Sequence, residues 1–266
     1  MISLSTPVTL PAAQDVVEYG VPVLMLGSCF TENIGRRLAD AFFDVDINPF
    51  GETYNPMSLC RILQRIESGV PFVEKELTEY GGLWHSMMHH GSFSAPTAEE
   101  TLFNINSRLA RAGEILSRKP VLILTLGTAY VYETADGVVN NCHKMPARQF
   151  SRHRVSVGSI TDAVCKALEK TDYSHLILTV SPIRHLRDGA HDNQLSKATL
   201  LLAAEQIAAS AHDVTYFPAY EIVLDELRDY RFYADDLVHP SAVAEEYVFE
   251  RFARTFMSQA TIERME

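Results

Sequence analysis

The chain has 266 residues, 47% hydrophobic, 9% aromatic and 21% charged, with a formal net charge of −11. That acidic balance lacks the clustered Lys and Arg of a nucleic-acid footprint, and no apolar run reaches the roughly 18 residues of a membrane-spanning helix. Four widely spaced cysteines, Cys29, Cys60, Cys142 and Cys165, include no CxxC pair, too little for a disulfide scaffold, and fit free thiols in a reducing cytoplasm.

Along the chain, short apolar runs alternate with segments of helical period, the pattern of βαβ units and a parallel sheet. The first ten residues show no cationic region followed by an apolar one, so a cytoplasmic protein without a signal peptide is expected. The first strand is expected over 21–26, ending in Gly27. A helix follows with Ile34, Leu38 and Phe42 on one face. A second strand is expected over 43–47. Asn55-Pro56 then reads as a cap with proline at the first helical position, and Gly69 stops that helix. Residues 71–96, with Trp84, His85, His89 and His90, read as an irregular excursion, either over the surface or part of a site. Thr97 and Glu100 form a capping-box signature for a helix to about 118. Further strands are expected over 121–126, 176–180 and 214–217, with helices over about 160–169, 192–211 and 241–257 between and after them. A hairpin turning at Asp136-Gly137 decorates the sheet. The expected fold is a single α/β domain over 1–266, three-layered and doubly wound around five parallel strands in flavodoxin-like order.

Ligands of such sheets bind beyond the carboxyl ends of the strands. The first strand runs into Gly27-Ser28-Cys29-Phe30-Thr31, where a helix begins. Backbone N–H groups and the dipole at a helix start favour negative charge. A cysteine there can become a nucleophilic thiolate. A serine there needs an adjacent base. The plain alternative makes Ser28 an N-cap and Cys29 a small filler. Near the other end stands Asp235-Asp236-Leu237-Val238-His239-Pro240, just before the last helix. An Asp three residues before a His can hold the imidazole's tautomer and stabilise its cation, as a nucleophile–His–Asp arrangement requires.

With GSC after the first strand and DxxH before the last helix, the chain resembles the SGNH (GDSL-like) hydrolase superfamily. Gly27 to Thr31 is similar to the signature of its GSCFA branch, with threonine in place of the final alanine. Gly51-Glu52-Thr53-Tyr54-Asn55-Pro56, Asn141-Cys142-His143-Lys144, Ser181-Pro182 and Asp236 to Pro240 also match, so the resemblance spans about residues 20–256. It implies His239 as general base and Asp236 as its orienting carboxylate. Aligning the glycine of the superfamily's Gly-Asp-Ser puts Cys29 at the nucleophile position, whereas residue chemistry alone would nominate Ser28. We favour Cys29, because the position after the turn points into the site. The superfamily's oxyanion donors are the nucleophile's own N–H, a glycine after the second strand and the asparagine of a GxND motif. Gly51 matches the glycine, but Gly127-Thr128-Ala129-Tyr130 stands in place of GxND and the asparagine is missing. Thr128 or Asn55 are its candidate substitutes. Removing one such donor typically costs about 100- to 1000-fold in rate.

Among the remaining polar residues, His85 and His89 have helical spacing, but no carboxylate follows in HExxH spacing, and no metal site is expected. His90 is expected near the pocket, His143 or Lys144 facing it, and Arg184 as a contact for an acidic substrate. There is no GxGxxG after the first strand and no GxxxxGK[ST], so no nucleotide cofactor is expected. The expected activity is that of a hydrolase or acyltransferase on a small acyl or ester substrate, a carbohydrate among the candidates, with neither nucleic acid nor membrane as partner. The rival expectations are a non-catalytic small-molecule or glycan-binding domain and a thiol redox sensor on Cys29.

Overall fold

The computed structural model describes residues 5–265. Its first unit is β1 (Val23–Leu26), α1 (Cys29–Asp40) and β2 (Val45–Ile47). After β2 come α2 (Pro56–Ser68), a hairpin of β3 (Leu77–Tyr80) and β4 (Leu83–Ser86), and the long α3 (Ala98–Leu116). The central β5 (Val121–Leu126) leads into β6 (Tyr130–Thr134), β7 (Gly137–Val139) and β8 (Ser151–Arg154). Then follow α4 (Val157–Leu168), β9 (His175–Val180), α5 (Ala190–Ser210) and β10 (Val214–Phe217). The chain closes through a short turn of helix, α6 (Ala219–Glu221), then α7 (Ala242–Phe256) and α8 (Gln259–Met265).

The main sheet has the order β2-β1-β5-β9-β10, all parallel. Counting only its own strands this is the flavodoxin-like sequence, and the expected five-stranded doubly wound sheet is the one observed. Alternation along the buried strands separates the core into two layers. Leu24, Leu26, Leu122, Leu124, Leu176 and Leu178 face α2, α3, α4 and α5. Val23, Met25, Val121, Ile123 and Ile177 face Phe30, Ile34 and Leu38 of α1 and Val248, Phe252 and Phe256 of α7. The strand order reverses between β1 and β5, whose carboxyl ends, Gly27 and Gly127, therefore flank the crevice expected of a switch point.

Local signals placed most helix starts. Asn55 caps α2 by accepting from the Ser58 N–H at 2.8 Å, and Gly69 closes that helix in the left-handed region at φ 60°. Thr97 accepts from the Glu100 N–H, and Ser241 caps α7. Elsewhere the structure differs from expectation. Asp192 lies inside the first turn of α5, which begins after Gly189, and α4 starts at Val157 behind an Ser156 cap. Residues 71–96 are not irregular throughout: the β3–β4 hairpin turns at Gly81-Gly82, both at positive φ. The second small sheet, β7-β6-β8, contains the expected Asp136-Gly137 hairpin with β8 added to it. Among the described residues, no helix is long and apolar enough to cross a membrane.

Candidate active site

Gly27 ends β1 at a point where no side chain fits. A Cβ added there would lie 2.4 Å from Thr31 Oγ1 and 2.6 Å from Thr125 Cβ. Its N–H donates to Asn48 Oδ1 at 2.9 Å, and its carbonyl accepts from the Thr53 N–H, which draws the 48–53 loop against the strand end. Ser28 is the N-cap of α1 and is buried, 1% exposed. Its Oγ accepts from the Phe30 N–H at 3.3 Å and donates to Ser181 Oγ at 3.1 Å. Cys29, the first residue of α1, is only partly buried. Ser28 is thus held inside as a cap, whereas Cys29 is partly exposed.

The Cys29 thiol is not an activated thiolate at rest. Burial and the nearby Glu52 carboxylate push its pKa up to about 11, with Glu245 adding to the rise. The N–H groups of Cys29 and Phe30 favour the thiolate, as a helix start should, but they are outweighed. At pH 7 a thiol with that pKa is ionised in only about one molecule in ten thousand.

Asp236 and His239 are brought together. The Asp236 carboxylate accepts from the N–H groups of Val238 (2.9 Å) and His239 (3.0 Å) through Oδ1, closing an Asx turn in which Leu237 takes φ 57°. Its Oδ2 lies 2.6 Å from His239 Nδ1. The His239 N–H and ring bonds and the Val238 N–H hold the carboxyl pKa down to about 2. The loop itself is tied to the sheet: the Arg184 N–H, just past β9, donates to the Val238 carbonyl at 3.2 Å, and Ala234 donates to the His239 carbonyl. His239 Nε2 has no hydrogen-bond partner among the described residues. Glu245, in the first turn of α7, feels the charge of His239 and acts on that of Cys29, so the dyad and the thiol share one electrostatic neighbourhood.

The expected oxyanion donors are engaged elsewhere. The Gly51 N–H donates to the Asn48 carbonyl at 2.7 Å, and the Thr128 N–H to the Tyr54 carbonyl at 2.8 Å. The Thr128 hydroxyl lies 3.1 Å from Ser196 Oγ, and the Asn55 amide donates to Ser58 Oγ at 3.0 Å. Gly51 has a different role. At φ 78°, its missing Cβ leaves room for His90, whose Cβ would sit 2.3 Å from an added methyl group.

His90 turns back on its own chain, accepting from the Ser92 N–H. Among the described residues no group of three or more His, Cys, Asp or Glu side chains is placed to hold a metal ion. His85 donates to the Tyr80 carbonyl and accepts from Ser94, His143 donates to the Ser86 carbonyl at 2.9 Å, and His89 stacks on Phe50 at 4.2 Å. Burial keeps His89 neutral, its pKa lowered to about 3. His143 is buried and Lys144 exposed, on consecutive left-handed residues. Arg184 lines a cavity of about 330 Å³ with Pro182, Asn193, Gln194, Tyr220 and Tyr233, to which neither Cys29 nor His239 contributes.

Several groups here escaped sequence reasoning. Tyr54 feels the Cys29 charge and donates to Glu52 at 2.8 Å, and it stands edge-on to His185 with ring centroids 6.0 Å apart. Lys197 is fully inside, donating to the carbonyls of Gly127 and Ser181 at 2.7 Å each. Its signal was readable: Asn193, Lys197, Leu200 and Ile207 form one helix stripe, and a lysine on such a stripe needs buried partners.

The family model described as the GSCFA family matches residues 22–252 of the chain, a span that includes every element from β1 into α7. A search of curated proteins finds no match.

Proposed function

The chain belongs to the GSCFA family, and on that premise we propose that it is an SGNH-like hydrolase or acyltransferase whose nucleophile is Cys29. The observation that carries this reading is the Asp236–His239 pair. An imidazole fixed through Nδ1 by a carboxylate, with Nε2 free, is the arrangement of a general base. With its pKa pushed up to about 11, the Cys29 thiol needs that base to act near neutrality.

In this mechanism His239 Nε2 takes the Sγ proton as Sγ attacks the acyl carbonyl carbon. The carbonyl electrons move to oxygen, and the Cys29 N–H at the start of α1 faces the resulting charge. Collapse breaks the bond to the leaving group, which takes the proton from His239 and departs as an alcohol or amine. The thioester left on Cys29 is resolved by water, giving a hydrolase, or by a hydroxyl or amine acceptor, giving a transferase. Water or acceptor gives its proton to His239, and the thiol is re-formed. Asp236 holds the tautomer and faces the imidazolium. A base positioned in this way contributes about 10²- to 10⁴-fold. A reducing compartment such as the cytoplasm suits the chemistry, since all four cysteines are free thiols.

The second reading is a binding domain without turnover, and one observation favours it: the N–H groups of Gly51 and Thr128 and the amide of Asn55 are all engaged within the protein. A redox sensor, which needs a lowered thiol pKa, is disfavoured by the raised one.

Intact-mass labelling separates these readings. Wild type, Cys29→Ala, Ser28→Ala and His239→Ala are treated with limiting iodoacetamide and, separately, a fluorophosphonate over pH 5 to 9. Selective alkylation of Cys29 that weakens in His239→Ala is the expected result. Capture lost only in Ser28→Ala would move the nucleophile to serine, and no selective labelling at either residue would leave the binding domain in front.

A further inference from the structure

The cavity at Arg184, about 330 Å³, plays no part in the chemistry proposed for Cys29 and His239, neither of which lines it. Its walls come from three places: Pro182 and Arg184 follow β9, Asn193 and Gln194 belong to the first turns of α5, and the rest lies within residues 220–233. In that last stretch Ile222–Glu226 forms a single turn of π-helix, a local widening that recurs at functional sites. Asn193, Tyr220 and Val223 are buried and form the floor, whereas Gln194, Asp225, Arg228 and Asp229 are exposed and form the rim. The volume falls in the range of small-molecule sites.

The cavity holds a set of uncommitted donors. The Arg184 guanidinium stands over the Tyr233 ring, 5.9 Å from its centroid, and makes no hydrogen bond or ion pair with any described residue. The Arg228 guanidinium has no partner among the described residues either. Arg152, Arg231 and Arg251, by contrast, each pair with a carboxylate. Two amides are committed at one end only. Asn193 Oδ1 accepts from the His185 N–H at 2.8 Å, and Gln194 Oε1 accepts from the Tyr220 hydroxyl at 2.9 Å, so the NH2 end of each is open. On the acidic side, Asp229 is taken up by the backbone and side chain of Arg231, both at 2.9 Å, and only Asp225 is free. Two free guanidiniums against one free carboxylate leave a single net positive charge.

We infer that this cavity binds a small hydroxylated monocarboxylate, a sugar acid, with Arg184 and Arg228 on its carboxylate. A guanidinium fork matches the two oxygens of a carboxylate. One net positive charge suits a monoanion better than a phosphate dianion. The open amides of Asn193 and Gln194 donate to hydroxyl oxygens, and Asp225 accepts from a hydroxyl in return. Tyr220 and Tyr233 supply aromatic surface for the carbon skeleton. Binding is non-covalent and does not depend on the reading of Cys29 as the nucleophile.

The test is isothermal titration of the full chain at low salt with D-glucuronate, and with D-glucose and inorganic phosphate for comparison. Glucuronate should bind one to one, and glucose and phosphate at least about tenfold more weakly, since neither offers a monoanionic carboxylate beside hydroxyls. Arg184→Gln and Arg228→Gln should each weaken glucuronate about tenfold, the loss of one charge-assisted hydrogen bond. Cys29→Ala should bind it as wild type does. No glucuronate binding tighter than about 10 mM would overturn the inference. So would phosphate binding as tightly as glucuronate, or an affinity that neither arginine variant changes. Should Arg184→Gln fail to fold, Arg228→Gln decides, because that side chain is exposed and unpartnered. Affinity lost in Cys29→Ala would place the ligand at the thiol and overturn the assignment to this cavity. If Cys29 alkylation depends on His239 while glucuronate does not bind, only this inference falls.

Discussion

Replacing Ser28 by alanine separates a structural serine from a reacting one. Two interactions are removed. The cap bond from the Phe30 N–H to Ser28 Oγ is lost, which is worth about 1 kcal/mol at a helix start. The buried bond to Ser181 Oγ is lost as well, worth about 1 kcal/mol net. Ser181 Oγ still accepts from the Ile183 N–H at 3.3 Å, so the deletion leaves no orphaned hydroxyl there and no further penalty. The sum is about 2 kcal/mol, and at about 2–4 °C per kcal/mol for a chain of this size the melting temperature should fall by about 4–8 °C. Thermal unfolding measured by circular dichroism reads this directly. On the same sample, Cys29 alkylation at 20 °C should keep its His239 dependence. An unchanged melting temperature together with abolished fluorophosphonate capture would refute the assignment of Ser28 as a cap and of Cys29 as the reacting group.

Three further predictions concern the base, the crevice wall and acid stability. Asp236→Ala removes the acceptor of the Val238 and His239 N–H groups and of His239 Nδ1, so Cys29 alkylation near neutrality should slow to the level of His239→Ala; retention of the wild-type rate would mean that the pair does not serve the thiol. Gly51→Ala forces a left-handed backbone on alanine and drives its methyl group into His90, so stability should fall by about 1–3 kcal/mol in denaturant melts; an unchanged midpoint would show that the loop relaxes freely. The third prediction is set by His89. Its pKa is about 3 in the fold against 6.5 in the unfolded chain, so below pH 6.5 the unfolded state takes up the proton first and stability is lost as pH falls towards 3. The loss amounts to about 2 kcal/mol by pH 5. His89→Leu should therefore lose less stability than wild type between pH 7 and 5, and equal slopes would contradict the assignment.

The parallel sheet was legible because its strands carry their own evidence. Residues 121–126 are apolar almost without interruption, and the strand they form, Val121–Leu126, is buried at every position, as a strand covered on both faces must be. What escaped lacks such a signal. Ser-Arg-His-Arg over Ser151–Arg154 is polar throughout and exposed; it is a strand only because β6 offers it a partner edge. The β3–β4 hairpin does carry a turn signal, Gly81-Gly82 between Thr78, Tyr80, Leu83 and Trp84, but its strands are only four residues long and only partly buried. At the site, the DxxH pairing is local, three residues apart, and so could be anticipated from sequence. The burial of Ser28 and the clamp of Lys197 come from contacts 153 and 70 residues apart in the chain, which depend on how the strand ends are brought together. The same holds for Gly51 and Asn55, whose polar groups are taken up by neighbours that only the folded loop provides.

The central claim is that Cys29 forms an acyl intermediate driven by His239 and Asp236. It is tested most directly by exposing wild type, His239→Ala and Asp236→Ala to p-nitrophenyl acetate and mapping the adduct by peptide mass spectrometry. The account predicts a single acetyl group on Cys29 in wild type, formed at least about 100-fold more slowly in His239→Ala. An adduct on Ser28, or acetylation of Cys29 at the same rate in all three proteins, would contradict it.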